Sequence, residues 1–368
     1  MKKKARLIAF YLPQYYPIPE NDKWHGKGFT EWANVTKARP LFRGHYQPIL
    51  PADLGYYDLR VPETRIAQAR LAEEYGIEAF CYWHYWFGNG KRLLERPFVD
   101  VLTTGEPDFP FCLAWANASW TGTWYGMSDT MLLEQTYPGK DDCVAHFYSL
   151  LDAFRDKRYL TVNGKQLFFI FDPHELKQHA AYFTELWQEL AKQEGLKGLY
   201  FIGATFTEEK PVHDGFEGSV QLAPFECLPK NRLATFLQYE LKIDISKILA
   251  EIFNRPKINE YEELVSYLER RNLWKNEFPL VMPNWDNTAR CGAKGSVLHN
   301  GSPELFGQML DNALQKISHI ANTENRLIFI QSWNEWAEGN YLEPDKVFGQ
   351  RYLEVIKKRI VDSKNTAQ

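Results

Sequence analysis

The chain has 368 residues, 45% of them hydrophobic, so it can bury a large core in one or two domains. Its formal net charge of -4 argues against nucleic acid as a partner. No stretch approaches the roughly 18 apolar residues of a membrane helix, and the first apolar run is too short for a signal peptide. The five cysteines form no C-x-x-C pair, and Cys81 and Cys112 lie in apolar runs, as reduced core thiols do. We therefore predict a cytoplasmic protein without a membrane span.

Eight short runs of apolar residues along the chain predict buried β-strands. They are continuously apolar, which is typical of strands covered on both faces of a parallel sheet. The runs cover residues 6–11, 77–83, 109–115, 166–171, 199–204, 218–222, 278–282 and 327–331.

Helical periodicity occupies most of the intervals between these strands. The clearest helix begins at Pro62, with proline and an acidic residue in its first turn, and ends before Gly76. The weakest candidate, at 91–102, is broken by Pro97. The other predicted helices cover residues 141–154, 175–193, 261–270, 303–320 and 351–361.

Eight strand–helix units in one chain predict an α/β fold, a single catalytic (β/α)8 TIM barrel over residues 1–368. The alternative is a doubly wound open sheet, which usually has a glycine-rich first turn, whereas residues 10–14 contain no glycine. Three segments fall outside the regular units. They are a long loop over the barrel mouth at 21–57, a helical insertion at 228–276 and a frayed polar tail at 362–368.

Aromatic residues make up 15% of the chain, and many stand in polar surroundings rich in glycine and asparagine. Tryptophan and tyrosine bury a flat apolar face while they hydrogen-bond at the edge, and sugars present the same mixture. Core packing explains more than half of these residues. The others are grouped just after the predicted strands, where the loops of a barrel build its active site.

Polar side chains alternate with tryptophans at nearly every strand end, and two similar residues lie in the long loop. We predict that this set contacts a carbohydrate. Its members are Tyr15, Glu31, Trp32, His84, Trp86, Trp115, Asn117, Trp120, Trp124, Asp172, Trp285, Asp286, Arg290, Asn334 and Trp336.

Several members of this set have a structural alternative. Glu31 could belong to a loop that only caps the barrel mouth, and His84 could be a buried histidine with satisfied hydrogen bonds. Asp172 could simply end its strand. Arg290 could bind an anionic sugar group or pair with Asp286, and the internal ion pair is the favoured alternative.

A pair of glutamates follows the last predicted strand. Glu335 and Glu338 stand three residues apart, between tryptophans and before Gly339. On a helical turn such positions share one face, roughly 5–6 Å apart, which suits two carboxyl groups that act on one glycosidic bond. We predict a catalytic acid–base pair. The alternative is a polar helix cap with two solvated glutamates.

Motifs for bound metals and nucleotides are missing from the sequence. It contains no H-E-x-x-H, no cysteine–histidine spacing of a zinc site and no D-x-D. It also lacks G-x-x-x-x-G-K-[ST] and G-x-G-x-x-G. We therefore predict no metal site and no cofactor.

Four motifs resemble the WbsX-type family of polysaccharide-locus proteins, at residues 10–14, 28–32, 285–290 and 333–339. The resemblance covers about residues 6–360. That family is similar to the family 99 glycoside hydrolases, the endo-α-mannosidases and endo-α-mannanases. The resemblance implies a (β/α)8 barrel, an oligosaccharide or polysaccharide substrate, and a retaining, endo-type attack on α-linked sugars.

The same resemblance implies roles for the two glutamates. In family 99 the first glutamate of N-E-W-x-E-G is the general base on the sugar 2-hydroxyl, which displaces the leaving group through a 1,2-anhydro intermediate. The second is the general acid and then the base. By position these roles fall on Glu335 and Glu338. Nearby tryptophans and an ionised Glu335 would then raise the pKa of Glu338.

Three functions stay open, and the glycoside hydrolase is favoured because it needs only the carboxyl pair and aromatic subsites. WbsX-type proteins are often labelled glycosyltransferases, and one acting in O-antigen or capsule biosynthesis would need a site for an activated donor. A non-catalytic glycan-binding barrel would keep the tryptophans but would have no use for the two glutamates.

Overall fold

A computed structural model describes residues 3–122, 130–176, 180–206, 215–228 and 255–360. Its centre is a nearly closed barrel of parallel strands, and the fold is the (β/α)8 barrel that the sequence predicts. The strands are β1 Arg6–Tyr11, β2 Ala79–Trp86, β3 Phe111–Trp115, β4 Lys165–Ile170, β5 Leu199–Thr205, β6 Gly218–Gln221, β7 with two segments, Glu277–Phe278 and Leu280–Val281, and β8 Leu327–Ile330.

The barrel closes through β7, which is split at Pro279. The first segment of β7 pairs with β6 and the second with β8, while β8 in turn pairs with β1. Proline has no N–H to donate to a ladder, so a continuous pairing along this strand is interrupted there. The carbonyl of Pro279 still accepts a hydrogen bond from the Phe329 N–H, at 3.0 Å.

Side chains fill both sides of the barrel wall, which explains the continuously apolar strand sequences. Inside the barrel, Phe10 packs against Phe169 and Phe329, with ring centroids 5.0 and 5.7 Å away. On the outside, Phe168 packs against Trp187 of a surrounding helix, at 5.0 Å. Trp83 stacks on Phe10 at 4.8 Å and closes the interior toward the carboxyl ends of the strands.

Helices surround the barrel and begin with recognisable signals. Pro62 stands in the first turn of its helix, and the Ser302 hydroxyl accepts a hydrogen bond from the Leu305 N–H at another helix start. The helices are α1 Pro19–His25, α2 Glu31–Lys37, α3 Pro62–Glu74, α4 Arg96–Thr104, α5 Lys140–Arg155, α6 Ala180–Gln193, α7 Tyr261–Arg270, α8 Thr288–Cys291, α9 Pro303–Ile317 and α10 Arg351–Ile360. Within the described ranges, none is both long and apolar enough to span a bilayer.

The predicted helix at 91–102 has the wrong bounds. Arg92–Leu93 is instead a short strand, antiparallel to the end of β2, and α4 begins at Arg96. Pro97 lies in the first turn of α4, where the missing N–H costs no hydrogen bond. The proline therefore starts the helix that it was expected to break.

The predicted irregular segments are partly ordered into regular elements. The long loop at 21–57 contains α2 and most of α1. Of the insertion at 228–276, residues 229–254 lie outside the described residues; the remainder holds α7 and a strand, Lys257–Glu260, parallel to Ser296–His299. The predicted tail at 362–368 also lies outside the described residues.

Candidate functional site

A cleft opens at the carboxyl ends of the barrel strands. Its volume of about 370 Å³ falls within the roughly 300–1,000 Å³ of small-molecule binding pockets. Five residues of the predicted site line it: Trp120, Trp285, Arg290, Glu335 and Glu338. The cleft is thus lined by tryptophan rings and by the predicted carboxyl pair.

The turn that carries the two glutamates is held in a tight conformation. Glu335 lies in a two-residue strand that pairs with Asn340–Tyr341, and Trp336–Glu338 form a 3-10 turn between them. Gly339 then adopts a left-handed conformation with φ of 58°, and a Cβ there would lie 2.8 Å from the Asp286 backbone nitrogen. Glycine is therefore required by both the backbone angle and the close approach.

Glu335 is 7% exposed and contacts both Trp83 and Glu338. The Trp83 indole Nε1–H donates to Glu335 Oε1 at 2.8 Å, and the two carboxyl groups hydrogen-bond to each other. Burial raises the pKa of Glu335 well above its usual range, and the negative charge of Glu338 raises it further. Both effects favour the protonated form of Glu335.

Glu338 instead forms an ion pair with Arg290. Arg290 Nη1 lies 2.5 Å from Glu338 Oε1, and Arg290 Nε lies 3.1 Å from Glu31 Oε2. The guanidinium is thus shared between the turn that carries the two glutamates and α2. The favoured sequence prediction, an ion pair of Arg290 with Asp286, is wrong.

Asp286 has other partners because its carboxylate turns toward the long loop. Its Oδ2 accepts hydrogen bonds from His45 Nε2 at 2.7 Å and Gln47 Nε2 at 2.6 Å, and its Oδ1 accepts from Thr288. Its backbone N–H donates to the Glu338 carbonyl at 2.6 Å. Asp286 therefore links the long loop to the turn that carries the two glutamates, and it does not line the cleft.

Tyr15 and Asn334 lie beneath the turn that carries the two glutamates. The Tyr15 hydroxyl donates to the Asn334 carbonyl at 2.5 Å and accepts from the Trp336 N–H at 3.2 Å. The Asn334 side chain exchanges two hydrogen bonds with the backbone of Leu12, at 2.7 and 3.0 Å. These contacts tie the end of β8 to the end of β1, which supports the turn from below.

Trp32 and Trp336 also pack behind the turn and do not line the cleft. The Trp32 indole donates to the Tyr57 carbonyl at 2.8 Å, while Trp336 stacks on Tyr341 with ring centroids 4.0 Å apart. The Trp336 indole donates to Glu343 at 2.6 Å. Their polar edges are therefore bonded to protein atoms.

Three predicted residues face the helices outside the barrel. His84 Nε2 lies 2.8 Å from His146 Nε2 of α5, and burial lowers the pKa of both histidines well below the usual range. Trp86 stacks on His146, and its indole donates to Asp142 at 3.0 Å. The Trp115 indole donates to the Trp86 carbonyl at 3.0 Å. This group is packing between strands and helix.

Asn117 and Asp172 hold two strand ends together. The Asn117 side chain donates to the Asp172 carbonyl at 2.7 Å and accepts from the Asp172 N–H at 2.8 Å. The Asp172 carboxylate accepts from the N–H groups of His174 and Glu175. Asp172 therefore ends its strand, which was the structural alternative. Trp124 lies outside the described residues.

Sequence reasoning missed two residues that matter to the site. Trp83 lines the cleft and bonds Glu335, although the sequence singled out its neighbours. Glu343 lies behind the turn, where it accepts hydrogen bonds from Tyr57, Gln68 and Trp336. Burial raises the pKa of Glu343 to about 7. Nothing in the local sequence distinguishes Glu343 from a surface glutamate.

The chain belongs to the WbsX glycosyltransferase family, because the family model described as Glycosyltransferase WbsX matches residues 7–356. The protein WxcX of Xanthomonas campestris pv. campestris is 37% identical in strain B100 and 36% identical in a second strain, over 99% of this chain. The chain spans about half the length of these curated relatives.

Solved structures share the fold at low sequence identity. A glycoside hydrolase-like protein matches with a TM-score of 0.58 and 13% identity, over 98% of this chain and 94% of the other. The GH99 endo-alpha-mannosidase of Bacteroides thetaiotaomicron matches with a TM-score of 0.56 and 16% identity, over 97% and 96%. The resemblance stated from the sequence is thus confirmed at the level of family and fold.

Proposed function

We propose that this protein is a glycoside hydrolase that acts on an α-linked glycan. The observation that carries the proposal is the buried Glu335–Glu338 pair, hydrogen-bonded together and facing a cleft lined by tryptophans. One proton on two carboxyl groups provides a proton donor and an acceptor side by side, which glycosidic bond cleavage needs. Tryptophan rings offer flat apolar faces on which sugars stack.

The reaction that we propose uses the pair in two steps. One carboxyl group protonates the glycosidic oxygen as its bond to C1 breaks, and the other takes the proton of the 2-hydroxyl as O2 bonds to C1. Water then opens the 1,2-anhydro sugar: its oxygen bonds to C1, a proton passes to a carboxylate and O2 regains one. The similarity to family 99 favours this retaining route over direct attack by a carboxylate.

Substrate contact is proposed for the residues that line the cleft. Trp120 and Trp285 supply rings, and the Trp83 side chain extends this aromatic surface to the catalytic pair. The other predicted binding residues are proposed to act indirectly, by holding the strand ends and the catalytic turn. A cytoplasmic site of action is part of the proposal, since Cys81 and Cys112 lie opposite each other in β2 and β3 as free thiols.

A glycosyltransferase of polysaccharide biosynthesis is the second candidate, favoured by the name of the family. It would use the same cleft and the same pair, with an activated sugar as donor. Within the described residues, no group of three His, Cys, Asp or Glu side chains is arranged to hold a metal ion. A donor of this kind would therefore have to be bound by other means in that part of the chain.

The test is a screen of purified protein against a panel of α-linked oligosaccharides, with NMR of the anomeric protons in the first product. We expect a hydrolysis product of retained configuration, and no product from a Glu335→Gln/Glu338→Gln double variant. Glu63→Gln, on the exposed side of α3, is the matched control and should behave as wild type. Turnover of activated sugar donors alone would favour the transferase, and glycan binding without any product would favour a non-catalytic barrel.

A further inference from the structure

Arg290 connects the long first loop to the catalytic pair. Its guanidinium lies between Glu31 Oε2, 3.1 Å from Nε, and Glu338 Oε1, 2.5 Å from Nη1. Glu31 belongs to α2 of the long loop and is 0% exposed. Asn34 donates to the same Glu31 oxygen at 3.3 Å, and Glu31 Oε1 has no hydrogen-bond partner among the described residues. Glu31 is thus a buried carboxylate that contacts the pair through an arginine.

The charges in this group explain why a second carboxylate matters. Arg290 carries one positive charge, and three buried carboxyl groups lie around it: Glu31, Glu338 and, hydrogen-bonded to Glu338, Glu335. Charges interact strongly where water is excluded, so a proton on the glutamate pair reduces the net negative charge. Arg290 lowers the pKa of Glu335, in opposition to burial and to Glu338. A carboxylate that competes with the pair for the guanidinium should therefore raise the pKa of the pair.

We propose that Glu31 is a positioning residue that acts through Arg290 to set the pH at which the Glu335–Glu338 pair loses its proton. Its consequence for catalysis rests on the proposed function. The long first loop is then a part of the acid–base system and more than a cover over the barrel mouth. Glu31 itself does not line the cleft, so its effect on the reaction passes through the arginine.

Other titratable groups face this network. Burial raises the pKa of Tyr15 and of Cys291, so both stay protonated. Burial lowers the pKa of His25, which faces Glu31, so it stays neutral. Lys294 acts on Cys291 as a cation. Glu343, behind the same turn, has a pKa that burial raises to about 7, so its titration has to be distinguished from that of the pair.

The Trp83 indole provides a direct reporter of the proton. Because its N–H donates to Glu335 Oε1, its NMR signal should move when the pair ionises. The experiment follows this signal against pH in the full chain labelled with ¹⁵N-tryptophan, and Trp83→Phe identifies the signal. The reporter needs no substrate, so it reads the network whether or not the chain hydrolyses a glycan.

Two variants should move the titration in opposite directions. Glu31→Gln removes a negative charge and leaves Arg290 to the pair, so the midpoint should fall by roughly one pH unit. Arg290→Gln removes the cation, so the midpoint should rise by roughly one unit. In the Arg290→Gln background, adding Glu31→Gln should have little further effect, because the connection is already lost. Glu63→Gln is the control and should leave the midpoint in place.

Opposite shifts distinguish a role in proton control from a role in folding, since a structural defect would not reverse sign with the charge removed. If Arg290→Gln does not fold, Arg290→Lys keeps a charge without the two-sided contact, and its midpoint should be insensitive to Glu31→Gln. An unchanged or raised midpoint in Glu31→Gln, or equal shifts with and without Arg290, would overturn the inference.

The pH profile of kcat/KM separates this inference from the proposed function. If both hold, the profile of each variant should move with its indole midpoint. If the indole midpoints shift as expected but the protein cleaves no glycan, the proposed function is rejected and the role of Glu31 is supported. Suppose instead that the protein hydrolyses a glycan and that Glu31→Gln changes neither the pH profile nor the indole midpoint. The proposed function would then stand, and the role of Glu31 would be rejected.

Discussion

The molecule buries two pairs of titratable side chains that differ in their surroundings. Glu335 and Glu338 hydrogen-bond to each other in the wall of the cleft, beside Arg290. His84 and His146 lie between β2 and α5, away from the cleft, with ring nitrogens 2.8 Å apart. Burial raises the pKa of Glu335 and lowers the pKa of both histidines, because it disfavours the charged form in each case.

A perturbed pKa is therefore not enough to identify a catalytic group. The histidine pair is enclosed by aromatic rings, including Trp86 and Trp187, and its charge change would only destabilise the fold. The carboxyl pair is also buried by protein on one side. On its other side it borders a cleft large enough for a ligand and the cation Arg290. The adjoining cleft, which the histidine pair lacks, is what makes the carboxyl pair a candidate for chemistry.

The largest expected effect is loss of turnover when the carboxyl pair is changed. Glu335→Gln and Glu338→Gln should each lower kcat by about 10²–10⁴, the usual contribution of a general acid or base. Glutamine keeps the shape and the hydrogen bonding, so glycan affinity should change little. His146→Gln, which changes the enclosed pair, should keep kcat near wild type. Near-wild-type turnover in both glutamate variants would remove the pair from the mechanism.

A pH-dependent loss of stability should come from Glu343, a carboxyl enclosed as fully as the histidines. Its pKa of about 7, against a usual 4.5, means that the native state binds an extra proton between these pH values. The free energy of unfolding should then fall as pH rises from 4.5 to 7, by about 1.4 kcal/mol per unit and about 3 kcal/mol in total. Glu343→Gln should remove this contribution, as measured by the difference between the unfolding free energies of the two proteins in urea at several pH values. Parallel pH curves for the two proteins would contradict it.

The histidine pair should act in the opposite direction. In the native state both histidines have pKa values below the usual 6.5. Below that pH the unfolded state therefore binds protons that the native state does not bind. The contribution of the two histidines to the free energy of unfolding should therefore fall as pH decreases below 6.5, by about 1.4 kcal/mol per unit for each histidine. His146→Gln keeps a partner for His84 and removes one of these groups, so its curve should be shallower by that amount. Urea unfolding between pH 7.5 and 5.5 measures it, and equal slopes would contradict it.

The fold could be predicted from the sequence because its main signal is strong and local. Strands covered on both faces are continuously apolar, and each of the eight predicted runs overlaps a strand of the barrel. Because these strand sequences are apolar throughout, they do not show which side chains point into the barrel and which point toward the helices. In β2, Trp83 and Tyr85 line the cleft, while His84 and Trp86 face α5. Successive side chains of β2 do alternate between the two faces, but the sequence shows no alternation of polar and apolar residues.

Contacts between residues that are far apart in the sequence also could not be predicted from a local pattern. The carboxyl pair was found because both members lie in one short motif. Arg290 was assigned to Asp286, four residues away, whereas its partners are Glu338 and Glu31, which is 259 positions away. Only the packing of α2 against the catalytic turn brings Glu31 there. A local motif thus brought the two glutamates together in the sequence analysis, whereas the contact of Arg290 with Glu31 depends on the fold.

The smallest expected effect tests the two faces of β2 directly. Trp83→Phe keeps an aromatic ring on Phe10 but removes the N–H that donates to Glu335, and this hydrogen bond lowers the pKa of Glu335. The pKa of the pair should rise, so the pH profile of kcat/KM should move to higher pH by less than about one unit. Trp86→Phe makes the same change three residues along the strand, where the indole donates to Asp142 on the helix side. It should leave the pH profile in place. Equal shifts in the two variants would mean that the profile reports the packing of β2 as a whole rather than the proton on the carboxyl pair.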